Sequence, residues 1–135
     1  MESVVRFSVS MGQSLLDELD EWIVRKGIPN RSEALRQLVR TFVADSRWEE
    51  GHGDVCGSIT VTYDHMAHDA CTELTHVQHH FGDVILCASH AHMDEDHCLE
   101  VILVRGGVGR VRRLVEGVSG IKGLRSVQPC LTSLV

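Results

Sequence analysis

Polar and apolar residues alternate at the start of the chain. In "VVRFSVS", Val5, Phe7 and Val9 fall on one side of an extended backbone and Arg6, Ser8 and Ser10 on the other. That period of two predicts a strand with one buried face. The period then lengthens. In "QSLLDELDEWIVRKG" (13–27), Leu15, Leu16, Leu19, Trp22 and Ile23 form the stripe of an amphipathic helix, with Gly27 as its C-terminal cap and Pro29 just beyond. "NRSEALRQLVRTFVAD" opens a second helix, with Ser32 expected as N-cap and a stripe of Ala34, Leu35, Leu38, Val39 and Phe42. A strand and two helices bury too little to be stable alone, and a lone strand leaves both edges unpaired. The economical solution is a dimer whose two strands pair into an antiparallel ribbon.

After "RWEEGHGDVCG" (47–57), whose three glycines mark a linker, the pattern changes again. "CGSITVTYDH" (56–65) reads as a strand and "AHDACTELTHVQHHF" (67–81) as a helix. "DVILCASHAHM" (83–93) and "HCLEVILVRG" (97–106) read as strands, "GVGRVRRLVEGVSGI" (107–121) as a helix. "GLRSVQPCLT" (123–132) is a last strand that Pro129 places at an edge. The order β-α-β-β-α-β is the split ferredoxin-like arrangement, so the fold class is α+β. The two middle strands are apolar at nearly every position, which asks for cover on both faces. Two helices cover one face, and another subunit must cover the other. With the N-terminal dimer, this second contact gives a homotetramer, a dimer of dimers. The expected domains are 1–47, a linker at 48–57, and 58–135.

Charge sharpens this division. The chain has 135 residues and a net charge of −6. Residues 1–47 are neutral overall, so 48–135 carry the whole excess, together with all nine histidines and all five cysteines. The negative balance does not exclude nucleic acid, because the seven basic side chains of 1–47 are concentrated in the small first module. No apolar run approaches the roughly 18 residues of a membrane span, and no basic segment leads into an apolar core at the N-terminus. No CxxC occurs, so a reducing cytoplasm fits better than a disulfide framework. Cys56, Cys71, Cys87 and Cys130 read as small buried apolar residues.

The candidate chemistry lies in "SHAHMDEDHC" (89–98). If 93–97 is a hairpin loop, His92 lies opposite Cys98 and His90 opposite Glu100. All four then share one face, because residues two apart do. His90, His92 and Cys98 make a partial shell for a borderline-soft divalent metal, while His97 belongs to the turn. No serine, lysine or paired carboxylate accompanies them, so hydrolysis is a weaker reading. A fourth ligand is missing. "THVQHHFGD" offers His76, His79 and His80 at a helix end, and spacing does not choose among them.

Residues 3–46, with the "NRSEALR" turn into a helix, resemble a ribbon-helix-helix DNA-binding domain. With "QHH", "HAH" and "CLE" following in a βαββαβ domain, nearly the whole chain resembles the nickel-responsive transcriptional regulators, the NikR family, whose metal domain is ACT-like. The resemblance implies Ni(II) ligands His90, His92 and Cys98 from one subunit and His79 from a neighbour, one square-planar site per subunit, with Glu100 in the outer shell. It implies that Arg6, Ser8 and Ser10 read bases of double-stranded operator DNA in the major groove, and that Arg31 and Ser32 meet a phosphate. It also implies repression of nickel-uptake genes, not catalysis. Three departures stand out: Gln37 replaces an acid that helps hold a potassium ion in some members, Ala67 and His68 replace basic residues, and "MDEDH" is unusually acidic. The rival readings are the same architecture sensing copper, cobalt or zinc, a metal- or small-molecule-binding module without DNA, and passive metal storage.

Overall fold

The computed structural model describes residues 2–134. The chain forms two compact units that divide between Leu38 and Val39. In the first, α1 (Gln13–Lys26) ends where the sequence places its stop. Gly27 adopts φ 66°, a left-handed turn that glycine enters without a Cβ clash. Its N–H donates to the Val24 carbonyl and that of Ile28 to the Ile23 carbonyl, both at 3.1 Å, which closes the helix end. Helix α2 (Arg31–Glu50) starts one residue before the expected cap. Asn30, not Ser32, is the N-cap: its Oδ1 accepts the Glu33 N–H at 2.8 Å. Asn30 wins because its amide oxygen reaches the free N–H three residues on, which leaves Ser32 inside the first turn. Asp20 and Arg31 tie the two helices together through paired contacts of 2.9 and 2.8 Å.

The core of this unit is thin. Ile23 and Ala34 are buried, but Val5, Phe7 and Val9 are 81, 73 and 55 % exposed. The expected strand at 5–10 is therefore a difference: no ladder forms there among the described residues. A strand is defined by its partner, and one chain supplies none for this segment.

The second unit carries β1 (Asp54–Asp64), α3 (His68–His80), β2 (Ile85–His92), β3 (His97–Gly107), α4 (Val108–Ser119) and β4 (Leu124–Ser133). This is the expected β-α-β-β-α-β order, in one antiparallel sheet of strand order β2-β3-β1-β4. Alternation decides what is buried. Ile59, Val61 and Tyr63 of β1 and Ile102 and Val104 of β3 join one core with Ala70 and Leu74 of α3. Val108, Val111, Leu114 and Val118 supply the stripe of α4 to the same core. Gly57 lets β4 approach β1, since a Cβ there would collide with the Cys130 carbonyl. Pro129 sits on β4, an edge strand, where its missing N–H costs no ladder bond on the open side.

Two further expectations change. The segment 48–57 holds the end of α2 and the start of β1, so the connecting turn shrinks to 51–53. Local contacts explain this: Arg47 donates to the Asp54 carbonyl and to Ser133, and the Arg112 guanidinium lies 5.1 Å from the Trp48 ring centre. The cysteines outside the candidate site are not buried either. Cys71, Cys87 and Cys130 are exposed and Cys56 is half-buried. Cys87 and Cys130 lie on the sheet's two edge strands, where one chain provides little cover.

Candidate metal centre

The candidate ligands sit where three strands end together. The β2–β3 ladder pairs His92 with Cys98 and His90 with Glu100, the register read from the sequence. The β1–β3 ladder pairs Tyr63 with Cys98. His65 follows two residues after Tyr63, and its backbone N–H donates to the Asp96 carbonyl at 2.7 Å. That bond fastens the end of β1 to the β2–β3 turn. Within the turn, Asp94 accepts from the backbone N–H groups of Asp96 and His97, both at 2.8 Å, and meets the His97 ring at the same distance. His97 is thereby engaged away from Cys98, as expected.

The Cys98 side chain is 1 % exposed. Its Sγ lies 3.5 Å from His92 Nδ1 and 3.7 Å from His65 Nδ1. Among the described residues, the cluster whose donor atoms all approach within 4.8 Å is His65, His92 and Cys98. His90 and His79 are not members of it. Lost hydration pushes the Cys98 thiol pKa up, and the nearby Cys71 and Asp94 push it further. Metal binding at this thiol must therefore displace a proton, which ties affinity to pH.

His90 is held otherwise. Its Nδ1 is 2.9 Å from the Tyr63 hydroxyl and 3.7 Å from Glu100 Oε1. Glu100 in turn accepts from Gln78 Nε2 at 2.6 Å. A network therefore runs from α3 through Glu100 to the His90 ring. It occupies Nδ1 and leaves Nε2 as the free nitrogen of His90. The Tyr63 hydroxyl pKa is raised, chiefly by burial and then by the Glu100 charge, so the hydroxyl stays protonated. His79 is exposed on α3, beside a groove it lines with Cys71, Thr72, Thr75 and His76.

Two imidazoles and a thiol at one sheet end fit a borderline-soft metal ion. Sequence reasoning missed His65. The signal was its place two residues after Tyr63, just past the end of β1.

The sequence-predicted DNA-facing residues belong to the first unit. Arg6, Ser8, Ser10, Arg31 and Ser32 are all exposed. Arg31 is paired with Asp20, and Arg36 with Glu33 at 2.8 Å. Gln37 donates to Glu33 at 3.3 Å.

Comparison with known proteins agrees with both units. Residues 56–132 match the NikR C-terminal nickel-binding domain, and residues 5–46 match the ribbon-helix-helix protein, copG family. A protein of Dictyoglomus turgidum is 39% identical over 135 residues, covering 100% of both chains. One of Thermococcus onnurineus is 41% identical, covering 96% of this chain and 94% of its own. One of Methanocaldococcus jannaschii is 40% identical, covering 95% and 92%. Their names provisionally call all three nickel-responsive regulators.

Proposed function

The chain belongs to the family of nickel-responsive regulators that join a ribbon-helix-helix module to a NikR C-terminal nickel-binding domain, and from that premise we propose that it binds operator DNA in a nickel-dependent way and represses nickel-uptake genes in the cytoplasm. Residues 1–47 form the DNA-binding module and 58–135 the metal-binding and tetramerisation module. Among the described residues, no helix is long and apolar enough to cross a membrane.

The observation that carries this reading is the β2–β3 register, which sets His90 and His92 beside Glu100 and Cys98 on one face. In the proposed site His90, His92 and Cys98 come from one subunit and His79 from its neighbour, one site per subunit in a homotetramer. Bound Ni(II) would supply a cross-link between two chains, joining three imidazoles and one thiolate. The protein's part is to present the donors. Gln78, whose amide holds Glu100 beside His90, immediately precedes exposed His79, so one turn of α3 supports a ligand at home and offers another to the neighbour. His79 reaches the neighbour's donors in some arrangements of the subunits and not in others. Metal binding therefore favours those arrangements, and DNA and metal must help each other reciprocally.

In the DNA-binding module, two copies of the 5–10 segment pair into a ribbon. Val5, Phe7 and Val9 go inward, and Arg6, Ser8 and Ser10 face the major groove. Arg31 and Ser32 approach a phosphate at the start of α2, where free N–H groups favour negative charge.

Selection from a pool of random duplex DNA tests the whole reading. Nickel-loaded protein should enrich a defined sequence. Removal of nickel, or His79→Ala, should lower the enrichment at least about tenfold, which corresponds to about 1.4 kcal/mol of coupling. Equal enrichment with and without nickel contradicts the reading.

A further inference from the structure

The glycine-rich turn at 51–53 does not lie between the two units. It follows α2, which runs from Arg31 to Glu50 with neither glycine nor proline and carries the chain across the division between Leu38 and Val39 as one helix. The last turns of α2 therefore belong to the second unit. We propose that residues 44–53 clamp the end of α2 to the metal module, with Arg47 and Trp48 as its positioning residues, and that bound nickel alters DNA affinity through this clamp. The coupling role rests on the proposed function; the clamp itself does not.

The clamp has an apolar and a polar side. Ala44 is buried in the same core as Val55, Ile59 and Val111. Trp48, one turn further along the same face, packs against that core, and the Arg112 guanidinium of α4 lies 5.1 Å from its ring centre. Arg47 beside it donates to the Asp54 carbonyl at the start of β1, at 2.8 Å, and to Ser133 Oγ at the end of β4, at 3.0 Å. One helix end is thus tied to β1, β4 and α4. The glycines serve the same contacts. A Cβ on Gly53 would come within 2.7 Å of Arg47 Cδ, so the missing side chain makes room for the arginine. The Gly53 carbonyl accepts the N–H of Val108, the first residue of α4, at 2.9 Å. The Gly51 N–H donates to the Arg47 carbonyl at 2.8 Å and closes α2.

The consequence is mechanical. Under the proposed function, nickel selects an arrangement of the metal modules. A loose joint would leave the DNA-binding modules indifferent to that choice. A helix without glycine or proline seldom bends sharply, so one clamped at its end passes the choice on.

The test uses the full-length protein and the duplex that nickel-loaded wild type enriches from a random pool. Trp48→Ala and Arg47→Ala should bind nickel as wild type does in competition with a chelator, and should bind the duplex without nickel as wild type does. Nickel should raise duplex affinity about tenfold in wild type and less than about twofold in either variant. Gly53→Ala displaces Arg47 and should behave like Arg47→Ala. Trp48→Phe keeps an aromatic face for Arg112 and should retain most of the enhancement. Full enhancement in Trp48→Ala and Arg47→Ala overturns the coupling role. Loss of nickel binding in both overturns it too, because the residues would then support the metal site itself. Hydrogen exchange reads the clamp without nickel or DNA. Amides of 44–50 should exchange more slowly in wild type than in Trp48→Ala and Gly53→Ala, while those of β1 stay protected in all three. Equal exchange at 44–50 overturns the clamp. A wild type with no nickel enhancement contradicts the nickel reading, and the coupling role with it, while the exchange result still decides the clamp.

Discussion

The two units of this chain differ in how far they complete themselves. The metal module closes its own core: Ile59, Val61, Ile102, Val111 and Leu114 are all fully buried in one chain. The DNA-binding module buries Ile23 and Ala34 but leaves Val5 81 % and Phe7 73 % exposed. One unit has its sheet, the other only half of one. The same contrast recurs at the residues proposed to bind metal. A single chain brings His92 and Cys98 together, yet leaves His79 exposed on α3. Under the proposed function, incompleteness is useful in both places, because a site or ribbon finished by a second copy can report on how the copies are arranged.

The largest way to break the contrast is Phe7→Asp. A charge on the inner side of the proposed ribbon should abolish both pairing of the module and DNA binding, measured by sedimentation and by fluorescence anisotropy. Metal binding by the other module should survive. If Phe7 is merely a solvated side chain, the variant will pair and bind as before. Next in size is Ile102→Ala, which should destabilise the metal module by about 2–5 kcal/mol in urea. Unfolding of the DNA-binding module should depend on protein concentration, because a second copy is proposed to complete its core. A smaller effect is expected from Tyr63→Phe. It removes the hydroxyl from His90 Nδ1 while keeping the ring, so nickel affinity should fall by about 10-fold while the fold is retained. Unchanged affinity would show that the hydroxyl does not orient the ligand.

The smallest effect concerns acid. Hydrogen bonding and charge from Arg31 hold the Asp20 carboxyl below its ordinary value of 3.8. A carboxyl lowered in the folded state stabilises fully above that ordinary value and loses this contribution as pH falls through the lowered one. Wild type should therefore exceed Asp20→Asn in stability at neutral pH by a small margin. The margin should vanish as the pH drops below about 4. A margin that persists at pH 2 would assign the difference to something other than the ion pair.

Much of this was legible in the sequence because it rests on local periodicity. The strand and helix pattern of the metal module and the pairing of His92 with Cys98 follow from alternation and a short hairpin. Gly27 as the stop of α1 follows from backbone freedom. The missed features depend on competition or on distant contacts. Asn30 displaces Ser32 as cap because both are good caps and only geometry chooses between them. The end of α2 is extended past 47 by contacts of Arg47 and Trp48 with residues far along the chain, which no window of sequence contains. His65 lies 27 residues before His92 and joins it only through two ladders meeting at Cys98. The Tyr63 hydroxyl that holds the His90 ring likewise lies outside any local window.

Subunit complementation tests the central claim most directly. His79→Ala and His92→Ala chains should each lack the tight nickel site when assembled alone. Refolded together, the His79→Ala subunits still offer His90, His92 and Cys98, and the His92→Ala subunits still offer His79. The account predicts that the mixture regains tight nickel binding and nickel-dependent DNA binding. A mixture as inactive as its two components would show that all four ligands must lie in one chain, and would contradict it.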